Sequence, residues 1–460
     1  MAMDTSGGPQ REAWGSKAAF VLAAAGSAIG LGNIWGFPTT AANNGGAAFL
    51  VIYLCAVAFI GAPVMLAELI LGRKSQRNPV GAFKAIMPNS SWWLVGGLGV
   101  LTGLMILSFY SVIAGWTLAY ILKTATGVFE AGADTTAIFL GVAANPWQAL
   151  FWHGIFMLIT IGVVVKGVKD GIERWTKVLM PLLFVLLVLL ALRAITLSGG
   201  GSGLSFYLQP DFSAVTPGVV LAAVGQAFFS LSLGMGAMIT YGSYVSKDQD
   251  LETSAGWVTG FDTLIAFLAG LIIFPTLFHA GLDPNQSGPG MVFVVLTSLL
   301  STIPPAPYGG IIFGTGFFLL LAIAALTSSV SLLEVVTSWG VDEKGWTRRQ
   351  AAWMIGGAAF VVGVPSALAN GAVSWLSAGW PQGPDFLSFM FAVWGQYSLV
   401  VGALLISLFV AWVWGVEPAG DEVRADGTRF VFEGVWRFLI RFVCPIALLG
   451  VLWTLVRALF

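Results

Sequence analysis

The sequence predicts an all-α, polytopic membrane protein with eleven transmembrane helices. Charged residues make up only 9% of its 460 residues, against 57% hydrophobic, and the mean hydropathy is +0.87. A soluble domain carries roughly 25% charged residues, because its surface has to face water. Apolar runs of about 20 residues, long enough to cross ~30 Å of hydrocarbon, recur along the whole chain. The distribution of lysine and arginine over the intervening loops supplies a third, independent sign.

Taken in order, the apolar runs place helices 1 to 11 near 17–41, 47–72, 93–122, 149–165, 175–197, 215–245, 253–280, 309–340, 350–369, 386–414 and 435–458. The run from Met291 to Thr302 is too short to span. Flanked by Asp283-Pro284 and by Pro304-Pro305-Ala306-Pro307, it reads as a short helix in a loop over a vestibule. With the N-terminus inside, eighteen of the 21 basic residues fall on the inner side, and only Lys123, Arg193 and Arg457 on the outer. A wrong helix count would mix the two sets, so the asymmetry supports count and direction together. It gives a cytoplasmic N-terminus, an extracytoplasmic Phe460 and a place in the cell membrane. Residues 1–460 read as one domain: a five-helix repeat over 17–197, a second over 213–414, and an extra helix over 435–458.

Other classes find little support. Cys55 and Cys444 both sit in apolar runs and suggest small core residues rather than a disulfide framework. His153 and His279 are isolated, which leaves little material for a zinc cluster or histidine-based catalysis. A formal net charge of −1 argues against a nucleic-acid partner. The polar stretch Met1 to Gln10 lacks a signal-peptide pattern, so the first apolar run reads as a retained helix.

Helices 1 and 6 carry the informative interruptions. Helix 1 reads Gly26-Ser27-Ala28-Ile29-Gly30-Leu31-Gly32-Asn33-Ile34-Trp35-Gly36-Phe37-Pro38, and helix 6 reads Phe228-Phe229-Ser230-Leu231-Ser232-Leu233-Gly234-Met235-Gly236. Each glycine costs about 1 kcal/mol against alanine inside a helix, so paired glycines weaken it locally. Unwound backbone persists at this depth only where it lines a polar cavity or a ligand. Freed carbonyls then hold a cation, and freed amides hold a carboxylate. Close helix packing is the competing reading. Interruption at matching places in two five-helix halves points instead to two inverted repeats with a transport site between them.

These residues resemble the neurotransmitter:sodium symporter family, in its bacterial amino-acid branch. The resemblance is carried by Arg11-Glu12-x-Trp14, Gly30-Leu31-Gly32-Asn33 with Phe37-Pro38, Asn44-Gly45-Gly46, Pro63 to Gly72-Arg73, and Tyr110 with Trp116-Thr117. It continues through Gly225 to Gly236, Tyr241 to Asp250, and Leu326-Thr327-Ser328-Ser329, and fades over helices 9 to 11. The broken-helix rule was itself drawn from members of this family, so rule and resemblance count once.

The resemblance implies a sodium-coupled symporter, not an enzyme, importing aliphatic or aromatic amino acids by alternating access with two sodium ions. Hard cations want about five or six oxygen ligands. One implied sodium site uses carbonyls of Gly26, Ile29 and Ala324 with the hydroxyls of Thr327 and Ser328. The bland alternative is that both hydroxyls bond back one turn along their own helix. The other implied site uses the Ala28 carbonyl, Asn33, Ser230, Asp262 and the substrate carboxylate. Asp262 lies in the apolar stretch Gly256 to Leu271, where a bare carboxylate is expensive, and a protonated aspartate is the alternative. In animal relatives an asparagine stands here with chloride nearby. Some bacterial relatives place a carboxylate a turn further on, where this chain has Ala266. Asp262 would supply that charge itself and make transport chloride-independent.

The implied substrate pocket takes backbone from Ala28, Gly30, Leu31 and Gly32, and the Tyr110 hydroxyl for the carboxylate. Carbonyls near Phe229 and Ser232 and the Ser328 hydroxyl meet the amino group, Ser230 belongs to the same pocket, and Ile106, Phe229, Met235 and Leu332 make the apolar end. Amine-transporting relatives carry an aspartate at the position of Gly30; glycine leaves room for the substrate's own carboxylate. Arg11 and Asp342 match the family's cytoplasmic gate pair, and Glu68 and Gln226 are implied polar supports of the unwound backbone. The extracellular gate departs from the pattern: Gly36 stands where an arginine belongs, Phe391 where its acidic partner belongs, and the nearest acid is Asp385. Outer closure would then rest on aromatic packing, with Phe229 over the substrate. A solute of another kind, such as a monoamine or a non-proteinogenic amino acid, is the nearest rival. A channel or membrane enzyme fits less well.

Overall fold

The structure is a computed structural model that describes residues 12–281, 291–381 and 383–457. Among these residues every regular element is helical. Among the described residues nine helices are long and apolar enough to cross a membrane, from Ala47–Ser75 (helix 2) to Glu433–Arg457 (helix 11). Lys17–Ala28 and Gly32–Asn43, bent by 53° at a short break, together form a tenth span, helix 1. The expected helix 6 divides into Pro217–Ser230 and Ala237–Gly242, neither long enough alone to count as a span.

Local signals explain where elements begin. Ser16, Asn145, Thr216 and Asp250 each accept a backbone N–H from the first turn of the helix that follows, filling donors the helix cannot satisfy itself. Thr347 and Gln350 form a reciprocal capping box that starts helix 9 (Arg348–Ala367). Helix 8 (Tyr308–Lys344) stops at Gly345, whose φ of 69° suits glycine. Helix 3 (Trp93–Ala125) and helix 8 form the most extensive packing pair and give the site a rigid wall.

Helix 5 (Val168–Ile195) begins about two turns before its expected start, through a π-helical stretch at Val168–Glu173. Four short helices, Pro79–Ile86, Thr135–Ala143, Gly200–Leu208 and Val416–Val423, occupy segments expected to be loop. The short helix expected after helix 7 (Leu251–His279) is present at Val292–Thr302. Phe293 packs it on Trp116, Tyr120, Phe139 and Phe318, while Asp283-Pro284 lies outside the described residues.

Candidate functional site

The breaks in helices 1 and 6 lie against each other. At Ile29 the backbone leaves the helix in an extended conformation, and it becomes helical again from Leu31. In helix 6 the turn passes through Ser232, Gly234 and Gly236, with φ of 54°, 88° and 76°. A side chain at Gly234 would strike backbone of helix 10: its Cβ would lie 2.1 Å from the Leu399 carbonyl oxygen. Glycine there permits both the left-handed backbone and the close approach. Glu68 of helix 2, fully buried, accepts the Gly234 N–H of the unwound turn at 2.7 Å.

One polar knot joins helices 1, 2, 6 and 7. Asn33 Nδ2 donates to Asp262 Oδ1 at 2.7 Å and to Ser230 Oγ at 2.8 Å, and lies 3.2 Å from the Asp262 carbonyl oxygen. Asn33 Oδ1 accepts the Gly30 N–H at 3.0 Å. Ser230 Oγ donates to Asp262 Oδ2 at 2.7 Å and accepts from Tyr53 at 3.2 Å. All four side chains are buried. Gln226, just before the break, donates to the Gly32 carbonyl at 3.0 Å. Three of the four protein ligands expected for this first ion site thus meet directly, and Ala28 lies on the wall of the neighbouring cavity.

A second oxygen cluster lies between helices 1 and 8. Ser328 Oγ donates to the carbonyls of Ser27 at 3.0 Å and Ile29 at 3.1 Å. Thr327 Oγ1 lies 3.0 Å from the Ala324 carbonyl, 3.3 Å from Ile323 and 3.5 Å from Ile29. Thr327 therefore bonds back along its own helix and also faces the broken end of helix 1. Gly26 packs beside it: a Cβ there would sit 3.4 Å from Thr327 Cβ. Oxygens from two elements are thereby gathered with no charged group among them, which is the donor set a monovalent hard cation takes.

Beside the two clusters is a small cavity. Ala28, Gly30, Gly32, Ile106, Tyr110, Phe229, Ser232, Met235, Ser328, Leu332 and Leu399 line it. Its polar end is the broken strand of helix 1, where the Leu31 N–H donates to the Tyr110 hydroxyl at 3.1 Å. A Cβ on Gly30 would fall 2.5 Å from Ser328 Oγ and 2.7 Å from the Tyr110 hydroxyl, so the space beside these hydroxyls exists only because residue 30 has no side chain. Ser232 Oγ donates to the Ser27 carbonyl at 3.2 Å.

Every residue expected in the pocket is on the cavity wall except Leu31, which faces Tyr110 through its amide, and Ser230, which belongs to the polar knot. Sequence reasoning missed Tyr53, the Ser27 carbonyl and Leu399. Tyr53 and Leu399 are ordinary residues of apolar helices with no local signal. Ser27 stands in the interrupted run itself, where a carbonyl freed by the break was foreseeable. Arg11 lies outside the described residues; Asp342 accepts from the Asn78 N–H at 2.9 Å and from Asn78 Nδ2 at 3.1 Å.

Comparison with known proteins agrees over nearly the whole chain. The family model of the sodium:neurotransmitter symporter family matches residues 11–132 and 146–459. An uncharacterized sodium-dependent transporter of Bacillus subtilis, YhdH, is 40% identical over 97% of this chain and 98% of its own. A sodium-dependent dopamine transporter of Caenorhabditis elegans is 26% identical over 96% of this chain and 80% of its own. The crystal structure of MhsT in complex with L-phenylalanine superposes with a TM-score of 0.88 at 45% identity, covering 98% of this chain and all of the other. With two broken helices holding the polar clusters and a match that spans both, the chain belongs to the sodium:neurotransmitter symporter family, and it is a multi-pass membrane transporter driven by sodium.

Proposed function

We propose that this transporter imports hydrophobic amino acids, aliphatic or aromatic, with two sodium ions and without chloride. The observation that carries the reading is the cavity: its polar end is backbone amide, Tyr110 and Ser328 around a bare Gly30, and its other end is Ile106, Met235, Leu332 and Leu399. An amino acid's carboxylate fits the amide end, where freed N–H groups favour an anion. Its side chain fills the apolar end, where burial is worth about 1.5–3 kcal/mol for a Leu- or Phe-sized group.

In this reading one sodium ion binds where Asn33, Ser230 and Asp262 meet. Turning the Asn33 amide presents Oδ1 to the ion beside the Asp262 carboxylate, which supplies the compensating charge and removes the need for chloride. The second ion binds among Ile29, Ala324, Thr327 and Ser328, with Gly26 beside them. The excess of basic residues on one side supports a cytoplasmic N-terminus. Helices 1–5 and 6–10 act as two inverted repeats, and Arg11 with Asp342 latches the inner side.

A thermal-shift screen of the purified protein against the twenty amino acids, in sodium and in choline, tests the proposal. Stabilisation by leucine-like and aromatic amino acids only in sodium is expected. Stabilisation by monoamines but by none of these amino acids would overturn it.

A further inference from the structure

We propose that Phe391 of helix 10 (Phe386–Asp426) is the positioning residue of an uncharged outer gate, holding the Phe229 ring across the mouth of the cavity. The inference rests on the reading that the cavity receives the solute. Within the cavity wall, the Phe229 ring lies against two neighbouring helices. On one side it presses on helix 1: a Cβ at Gly32 would lie 2.9 Å from Phe229 Cε1, and one at Gly36 would lie 3.6 Å from it. On the other side it meets Phe391 edge-on, with ring centroids 5.4 Å apart at 77°. Phe391 in turn meets Phe109 of helix 3 at 6.2 Å and 77°. Phe109 directly precedes Tyr110, which lines the cavity. A chain of rings thus links helices 6, 10 and 3 beside the cavity, and its end at Phe229 rests on glycine backbone of helix 1.

The surroundings fit this role. Gly395 lies under the Phe391 ring, where a Cβ would come within 3.3 Å of Phe391 Cδ2. Asp385, the acid nearest in sequence, is occupied as the N-cap of Phe386–Met390, accepting the Ser388 N–H at 2.7 Å. Both segments that flank Phe229 are π-helical, Gly32–Gly36 on helix 1 and Phe391–Tyr397 on helix 10. Short π-helical turns inside α-helices are frequent at functional sites. Edge-to-face rings attract without charge, so this closure is insensitive to ionic strength, unlike an exposed ion pair.

The test compares Phe391→Ala with Phe391→Tyr in the full-length protein, reading the dissociation rate of labelled L-phenylalanine in saturating sodium. Loss of both edge contacts should speed release about tenfold in the alanine variant, and the tyrosine variant should stay within about twofold of wild type. Sodium titrations should not move, and wild-type release should be equal at low and high ionic strength. Unchanged release in Phe391→Ala, or equally fast release in Phe391→Tyr, would overturn the proposal. If the alanine variant does not fold, Phe391→Leu keeps the bulk without the ring and takes its place. If the wild type binds no hydrophobic amino acid, the substrate reading fails and the gate is judged separately. Met235→Cys, in a background with Cys55→Ser and Cys444→Ser, is then labelled from outside with an impermeant maleimide. Added Phe391→Ala should raise that labelling about fivefold; unchanged labelling would overturn the gate.

Discussion

Asp262→Asn keeps the shape of the side chain and removes its charge, so it isolates what the carboxylate does. In the structure Asp262 Oδ1 accepts from Asn33 and Oδ2 from Ser230, both at 2.7 Å. Ser230 Oγ already accepts from Asn33 at 2.8 Å and from Tyr53 at 3.2 Å. A carboxamide has one acceptor oxygen. If it faces Asn33, its NH₂ becomes a third donor on Ser230; if it faces Ser230, two NH₂ groups meet head to head. Either way one buried donor is left over, at a cost of about 1–3 kcal/mol in stability. For a sodium ion in the knot the lost charge matters more. A unit charge about 4 Å away at an effective dielectric near 20 is worth about 4 kcal/mol, an upper bound. The expected loss of sodium affinity is therefore between about tenfold and a thousandfold. Binding of a labelled hydrophobic amino acid, titrated with sodium in chloride and again in gluconate, measures it. Wild type should titrate identically in both anions, and chloride should partly restore the variant. A variant curve that superimposes on wild type, or a wild type that loses binding in gluconate, would refute the assignment of charge to Asp262.

Thr327→Val and Ser328→Ala each remove one hydroxyl facing the Ile29 carbonyl and should lower apparent sodium affinity at least about tenfold, ~1.4 kcal/mol, in the same titration. Gly30→Asp puts side-chain atoms within 2.7 Å of Tyr110 and Ser328 and a negative charge beside a bound carboxylate; amino-acid binding should disappear while the melting curve remains cooperative. Glu68→Ala leaves the Gly234 N–H without its acceptor and should lower stability by about 1–3 kcal/mol, read as a shift in detergent melting temperature. Arg73→Met strips a fully buried cation from Glu422, but Lys74 at 3.4 Å and Lys247 at 2.7 Å remain, so the loss should sit near the lower end of the buried-pair range, about 3 kcal/mol by the same measurement.

The spans were legible because hydrocarbon imposes one length and one polarity on every crossing segment; boundaries of helices 2, 3, 8 and 9 fall within about a turn of expectation. The breaks were legible for a related reason: glycine pairs beside serine and asparagine have few uses at mid-membrane depth. What the sequence hid is what depends on neighbours. Tyr53 reaches Ser230 from an apolar helix, and Leu399 lines the cavity because Gly234 and Gly402 let two backbones touch. Val416–Val423 escaped notice because its helix is settled by tertiary contacts, with Glu422 drawn onto Arg73 rather than by any apolar run. The π-helical stretches have no composition of their own and follow from packing.

Glu422 and Arg73 also bear on how the molecule can flex. Arg73 at the end of helix 2 donates to Glu422 and to the backbone carbonyls of Glu422 and Gln249, while Lys247 grips the same carboxylate. Trp436 of helix 11 donates to the Pro63 carbonyl at 3.1 Å, and Glu252 accepts the amides of Val431 and Phe432, both at 2.8 Å. Helices 2, 7, 10 and 11 are thereby riveted into one plate, with the end of helix 6 attached through the 247–249 turn. A plate of this kind cannot shear between its own members. Bending relative to this plate is easiest at the Ile29 and Ser232 to Gly236 breaks, where the helical backbone is interrupted, so on the proposed reading the residues that hold the cargo are also the joints.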